Sequence, residues 1–212
     1  MGSDCPKQYL KIANKTILEY TLERLLSHPD VAKVVVSVSS EDQYFNELKI
    51  AEHPDVVRVD GGKERSDSVL NGLKTLTDEY WVLVHDAARP CVTHADISAL
   101  IERCYKTDEG AILATPVRDT MKRTDSHGNI ERTEDRNNLW HAQTPQMFKL
   151  SELTNALISA ESAGVAITDE ASALEYMKLP SQVVSAREDN IKVTRPSDLN
   201  LATFILQQQQ EQ

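Results

Sequence analysis

The residues able to do chemistry in this 212-residue chain gather in short polar motifs, most of them just past an apolar run. HDAARP, His85 to Pro90, sets Asp86, two alanines and Arg89 close together. An aspartate can accept hydroxyls or hold a hydrated cation, and an arginine can fork onto an anion. Small residues such as Ala87 let a ligand approach the backbone, although an ordinary Asp–Arg turn uses the same residues. KERSDS, Lys63 to Ser68, opens a helix, where free backbone N–H groups with Ser66 or Ser68 can receive a phosphate or a ribose hydroxyl. A plain N-cap accounts for these residues equally well. NIKVTRP brings Lys192, ITDEAS brings Thr168 and CPKQY brings Lys7. Thr168 is also placed to cap a helix, and a lone lysine such as Lys7 is a weak signal. DRNNLWHAQTPQMF adds Arg136 and Thr144, with Trp140 read as packing. Basic groups and hydroxyls around one acid suit phosphorylated, polyhydroxylated substrates.

Other chemistries are disfavoured. The six histidines, at 28, 53, 85, 94, 127 and 141, form no HxxH or HExxH spacing, and no GxSxG is present. None of the seven glycines completes a phosphate loop of the GxGxxG or GxxxxGK type. Cysteines 5, 91 and 104 make no CxxC pair, so neither a disulfide framework nor a cysteine zinc site is indicated.

The elements that carry these motifs follow from periodicity. Residues 16–27 place Ile17, Leu18, Leu22, Leu25 and Leu26 at helical spacing behind a Thr16 cap. Residues 33–39, 56–59, 80–85, 111–117 and 182–185 read as strands, the first a β-branched run suited to burial. Helices are predicted over 66–77 with Ser66 and Asp67 as start signals, over 95–106, 151–163 and 169–177, and from Pro196. Strands alternating with amphipathic helices predict an α/β fold: a Rossmann-like, mainly parallel sheet flanked by helices on both faces. In such sheets ligands bind beyond the carboxyl ends of the strands, where the motifs fall. Residues 118–139 break the pattern as a polar hairpin turning at Ser126 to Asn129, read either as a mobile arm or as a strand pair resting on a second subunit. The closing QQQQEQ reads as a frayed tail.

Composition bounds the function. With 33 acidic and 23 basic residues the net charge is −10, which argues against a general nucleic-acid or membrane-surface binder. Hydrophobic residues at 40% are enough for a core. No apolar run reaches ~18 residues and no leader opens the chain, so a cytoplasmic protein is expected.

Seven strings in register, CPKQY, DGGxxRxDSV, VHDAARPCV, PVRDTMKR, RNNLWHAQTPQMF, TDEASALEY and NIKVTRPxDL, closely resemble the 2-C-methyl-D-erythritol 4-phosphate cytidylyltransferases. The resemblance runs from about residue 4 to residue 206. It implies an enzyme of isoprenoid precursor biosynthesis that joins CTP to methylerythritol phosphate and releases pyrophosphate. It also implies that Lys7 is catalytic, stabilising charge on the α-phosphate, and that Gly62, Ser68, Asp86 and Ala87 bind the nucleotide. Asp86, Arg89, Thr120, Arg136, Thr144, Thr168 and Lys192 are then substrate-binding. Mg²⁺ is expected through the nucleotide phosphates, with no direct protein ligand. In the family the 118–139 arm reaches the neighbouring subunit's site, so a homodimer is expected. A ribitol-phosphate cytidylyltransferase, which shares HDAARP and QTPQ, is the alternative substrate reading.

The family opens with a central strand and a loop of the form PAAGxGxRM that wraps the triphosphate. The sequence here starts at Met1-Gly2-Ser3-Asp4, so a single nucleotidyltransferase domain over 1–212, incomplete at its N-terminus, is expected. A truncated, inactive dimer that binds nucleotide or sugar phosphate is a further alternative.

Overall fold

In a computed structural model, residues 5–77 and 80–210 are described. A short β1 (Lys11–Ile12) and β2 (Lys15–Thr16) form an antiparallel pair leading into α1 (Ile17–Leu26). Thr16 caps α1 as expected: its Oγ1 accepts from the Glu19 N–H while the Glu19 carboxylate accepts from the Thr16 N–H. Next come β3 (Val34–Val38), β4 (Val56–Asp60), α2 (Arg65–Leu73), β5 (Trp81–Val84), α3 (His94–Thr107) and β6 (Gly110–Pro116). The arm holds β7 (Lys122–Thr124) and β8 (Ile130–Thr133). The chain continues through β9 (Trp140–Lys149), α4 (Leu150–Ser162), α5 (Glu170–Tyr176), β10 (Ser181–Ser185) and α6 (Pro196–Gln210).

The α/β expectation holds. The central sheet has the order β10-β6-β9-β5, with β10 parallel to β6 and β9 antiparallel to both β6 and β5. Three of its four strands therefore point the same way. On one face Ile97, Leu100 and Ile101 of α3 meet Leu113 and Met147. On the other, Leu70 and Leu73 of α2 with Leu153, Leu157 and Leu174 of α4 and α5 cover Val82 and Phe148. Burying these faces is what holds the layers together, at roughly 1.5–3 kcal/mol per large apolar side chain.

Strand β9 has no counterpart among the expected strands, and the reason is physical. Its middle carries Gln143, Thr144, Pro145 and Gln146, all buried, and a proline with three polar neighbours does not read as a core strand. The pairing accommodates them with a bulge, the register jumping from Ile112↔Gln146 to Ala114↔Ala142.

Strands β3 and β4 pair with each other in parallel, apart from the central sheet. Between β3 and β5 lies a cavity of about 470 Å³, walled by residues 34–37 and 81–84 and flanked by Leu18 and Leu22 of α1 and by Val69 and Leu73 of α2. Among the described residues β3 pairs only with β4, and β5 only with β9.

The hairpin forms, closed by Asp125, whose carboxylate accepts from the His127 and Asn129 N–H groups. Three expectations need correction. Helix α2 is capped by Glu64 rather than by Ser66 or Asp67; Asp67 instead takes the third helical position and accepts from the Glu64 N–H. Asp169, not Thr168, caps α5, accepting from the Ser172 N–H. The glutamine run is helical as far as Gln210, with Gln209 bridging the Cys91 carbonyl and Arg24; residues 211 and 212 lie outside the described residues. Residues 1–4, on which the expectation of an incomplete N-terminus bears, also lie outside them.

Candidate active site

The site is built around Asp86, two residues beyond the end of β5. Its backbone N–H donates to Thr144 Oγ1 at 3.0 Å, a contact the β9 bulge makes possible. Thr144 Oγ1 also lies 3.0 Å from His85 Nδ1, and His85 Nε2 lies 3.0 Å from the Arg89 carbonyl. A carbonyl only accepts, so Nε2 carries the proton, and Nδ1 accepts from the Thr144 hydroxyl. The loop 85–89 is thus fastened at both ends by one neutral imidazole. Thr144 is buried and its hydroxyl both donates and accepts within the fold, so its contacts go to the loop.

Burial pushes the His85 imidazole down to about 4, so it is neutral at physiological pH and has no charge to give a ligand. The consequence for stability has a definite sign. An unfolded histidine takes up its proton near pH 6.5, the folded one only near 4, so the unfolded state binds more protons in between. The His85 contribution is complete above about pH 6.5 and is lost as pH falls toward 4. Denaturant unfolding should therefore show a loss of about 2–3 kcal/mol from this group between about pH 7.5 and 4.5. In His85→Gln, whose amide can still donate to the Arg89 carbonyl, that part of the pH dependence disappears; equal losses in both proteins would refute the assignment.

The Asp86 side chain is 13% exposed and meets three cations. Lys192 Nζ lies 2.9 Å from Oδ2, Arg89 Nε 3.4 Å from Oδ2, and Arg65 Nε 3.5 Å from Oδ1. Burial pushes the carboxyl up, but Lys192, Arg65 and Arg89 outweigh it and hold it below the usual aspartate value. Arg89 is itself tied down, Nη1 donating to the Asn190 carbonyl at 2.7 Å. The 190–193 segment is pinned to the same loop: Val193 N–H donates to the Ala88 carbonyl, and Asn190 Nδ2 donates to the Thr144 carbonyl. Buried Gln146 links the next element, donating to Asp169 and accepting from the Ala171 N–H, and so sets the start of α5 against β9.

Lys7, Ser68, Asp86, Ala87 and Lys192 share the lining of the cavity between β3 and β5. Lys7 Nζ has no hydrogen-bond or ion-pair partner among the described residues. Ser68 Oγ accepts from the Gly62 N–H at 3.0 Å, which ties the DGG turn to α2. A methyl on Gly62 would lie 2.1 Å from Asp67 Cβ, so the turn needs a glycine there. Thr168 lies just before α5, its N–H donating to Ser172 Oγ. Thr120 and Arg136 are not in this cluster: both are exposed on the arm, where Arg136 donates to the Arg118 carbonyl.

Two site residues were not singled out from sequence. Arg65 forks onto Glu170, Nη1 to Oε1 at 2.5 Å and Nη2 to Oε2 at 2.9 Å, as well as facing Asp86. Arg65 is the arginine of DGGxxRxDSV and Glu170 the glutamate of TDEAS, so the signal lay inside motifs already noticed. Their pairing, 105 residues apart, did not.

No group of three or more His, Cys, Asp or Glu side chains able to hold a metal ion exists among the described residues. Asp86 meets cations on both oxygens, so this donor set does not fit a metal held by the protein itself. Cys91 and Cys104 are buried thiols, pushed up to about 12 and about 11 by that burial, and are unreactive. No helix among the described residues is long and apolar enough to cross a membrane.

A helix-covered sheet with a basic cluster around one carboxylate at its strand ends has the form of an α/β nucleotidyltransferase, and the comparisons agree. The family model described as IspD, 2-C-methyl-D-erythritol 4-phosphate cytidylyltransferase, matches residues 1–208, and the chain belongs to that family. The enzyme of this name from Vibrio vulnificus (strain CMCP6) is 59% identical over 215 residues, covering all of this chain and 91% of the relative. That from Colwellia psychrerythraea (strain 34H / ATCC BAA-681) is 56% identical, covering 99% and 90%. The crystal structure of the Francisella tularensis enzyme superposes with a TM-score of 0.86 at 35% identity, covering 95% of this chain and 94% of that one.

Proposed function

We propose that this chain transfers a cytidylyl group from CTP to 2-C-methyl-D-erythritol 4-phosphate, releasing pyrophosphate for isoprenoid precursor synthesis. The observation that carries the reading is the convergence of Lys7, Ser68, Asp86 and Lys192 on one cavity in a chain of this family. The nucleophile is a phosphate monoester, mostly dianionic at pH 7 because its second pKa is about 6. Its oxygen attacks the α-phosphorus of CTP as the bond to the β-phosphate oxygen breaks. No general base is required, which fits a neutral, fully engaged His85. The difficulty is to bring two anions together, and that is met by positioning and fixed cations.

In this reading Lys7 stabilises the α-phosphate, while Ser68 and Ala87 line the cytidine side and Gly62, bonded to Ser68, binds the nucleotide beside them. Asp86, Arg89 and Thr168 hold the diol end of the sugar phosphate, Lys192 meets its phosphate, and Thr144 keeps the Asp86 loop in place. Mg²⁺, if bound through the triphosphate oxygens rather than by a protein ligand, would supply counter-charge to them. The site is cytoplasmic and shared in a homodimer, in which the 118–139 arm delivers Thr120 and Arg136 to the partner's cavity; their exposure away from this chain's own cluster supports that arrangement.

The decisive experiment measures pyrophosphate release from CTP with methylerythritol phosphate and, separately, with ribitol 5-phosphate. Release with the first alone is expected. Release with the second alone would move the substrate, and CTP binding without release would make the chain an inactive nucleotide-binding dimer. Arg136→Ala should chiefly raise KM for the sugar phosphate. Mixed dimers of Arg136→Ala and Lys192→Ala subunits should regain activity, since one site of each keeps both groups; no recovery would remove the shared site.

A further inference from the structure

We propose that Arg65 is a positioning residue for this reaction: held by buried Glu170, it is the fixed counter-ion of Asp86 that frees Lys192 to meet an anionic ligand. The proposal rests on the cytidylyltransferase reading for its substrate, but its geometry belongs to this chain.

Asp86 has three cationic neighbours, and they differ in freedom. Arg89 is held by the Asn190 carbonyl, its side chain only 12% exposed. Arg65 is held by the two-bond fork to Glu170, a carboxylate 1% exposed. A planar guanidinium fixed on both arms by a desolvated carboxylate has little reason to leave. Its remaining nitrogen, Nε, faces Asp86 Oδ1. Lys192 is as exposed as Arg65 but has no such fork: it is a compact ammonium on a four-carbon stem whose described partner is Asp86 Oδ2 at 2.9 Å.

The same Lys192 cannot both neutralise Asp86 and meet a phosphate at full strength. When it moves, Asp86 needs another cation on each oxygen, or a half-buried carboxylate is left without compensation. Arg65 on Oδ1 and Arg89 on Oδ2 supply them. Arg65 also joins α2, which carries Ser68, to the start of α5, next to Thr168. It thereby fixes α2, which lines the cavity, against the start of α5.

Simple charge counting gives a different expectation, which makes the idea testable. Arg65→Met removes a positive charge and should weaken anion binding on either view. Glu170→Gln removes a negative charge, so charge counting predicts tighter binding of the sugar phosphate. The positioning role predicts weaker binding, because Arg65 loses its fork. We expect KM for methylerythritol phosphate to rise about tenfold in Arg65→Met and about fivefold in Glu170→Gln, with kcat changed less than about threefold, an ion-pair-sized effect. Arg65→Lys, which restores the charge but not the fork, should not rescue.

The Lys192 ammonium followed by NMR during titration with inorganic phosphate gives a readout independent of turnover. Its midpoint should rise in Arg65→Met, Arg65→Lys and Glu170→Gln alike. An unchanged midpoint, a tighter one in Glu170→Gln, or full rescue by Arg65→Lys would overturn the proposal. If the unaltered protein releases no pyrophosphate while the phosphate titration still separates the variants, the substrate reading fails and the role of Arg65 stands.

Discussion

Lys7→Ala should lower kcat by two orders of magnitude or more with little change in stability. Lys7 begins a short 3-10 helix, lines the same cavity as Asp86 and Lys192, and has no described partner to neutralise its ammonium. A cation kept unpaired at the edge of a partly apolar cavity is available for charge that develops only in the transition state. As a nucleotide's α-phosphorus is attacked its oxygens gather charge, and one well-placed donor there is typically worth about 3–4 kcal/mol. Because the interaction strengthens at the transition state, kcat should fall while KM for CTP changes little. Steady-state kinetics of pyrophosphate release would decide it, and an unchanged kcat would remove Lys7 from the mechanism. The folding penalty should be small, since the ammonium has no hydrogen-bond or ion-pair partner among the described residues.

Asp86→Asn should damage both the reaction and the fold. The substitution keeps the shape and one acceptor but leaves Arg65, Arg89 and Lys192 facing an uncharged amide. Removing one partner from a buried charge cluster costs about 3–5 kcal/mol; Arg65 and Lys192 keep some access to water, so about 2–3 kcal/mol is expected. Denaturant unfolding near pH 7 measures that loss directly. On activity the expectation is a fall of two orders or more in kcat/KM, because in the proposed reaction the carboxylate would accept the diol and it also sets the positions of three cations. A variant as stable and active as the starting protein would mean that the cluster is a passive surface network.

The surrounding structure explains why these residues stay in place. His85 and Thr144 bond the 85–89 loop, and Asn190 holds that loop through its carbonyl, which accepts from Arg89, and β9 through its amide, which donates to the Thr144 carbonyl. Buried polar groups of this kind are costly unless paired, so the loop has few alternative conformations. Arg65 and Glu170 do the same between α2 and α5. The two lysines that line the cavity, Lys7 and Lys192, are long and partly exposed, whereas their surroundings are short or doubly held side chains.

Much of this was legible in the sequence. Periodicity placed α1 and its Thr16 cap, the paired strands β3 and β4, and helices α3 and α4 to within a residue or two, because these elements are decided by local apolar spacing and capping. The residue types in HDAARP, KERSDS and NIKVTRP identified a basic site at strand ends, and seven strings in register identified the family. What local pattern could not reveal was decided in three dimensions. Strand β9 is polar and interrupted by Pro145, and it is a strand because β5 and β6 pair with it on both sides. Thr168 looks like a cap by type, yet Asp169 stands one position nearer the helix and takes the bonds. Arg65 and Glu170 are ordinary charged residues until the fold sets them 2.5 Å apart and next to Asp86. Sequence spacing determined which residues share an element; only packing between elements decided which charges share a site, because ion pairs between distant segments leave no periodic trace.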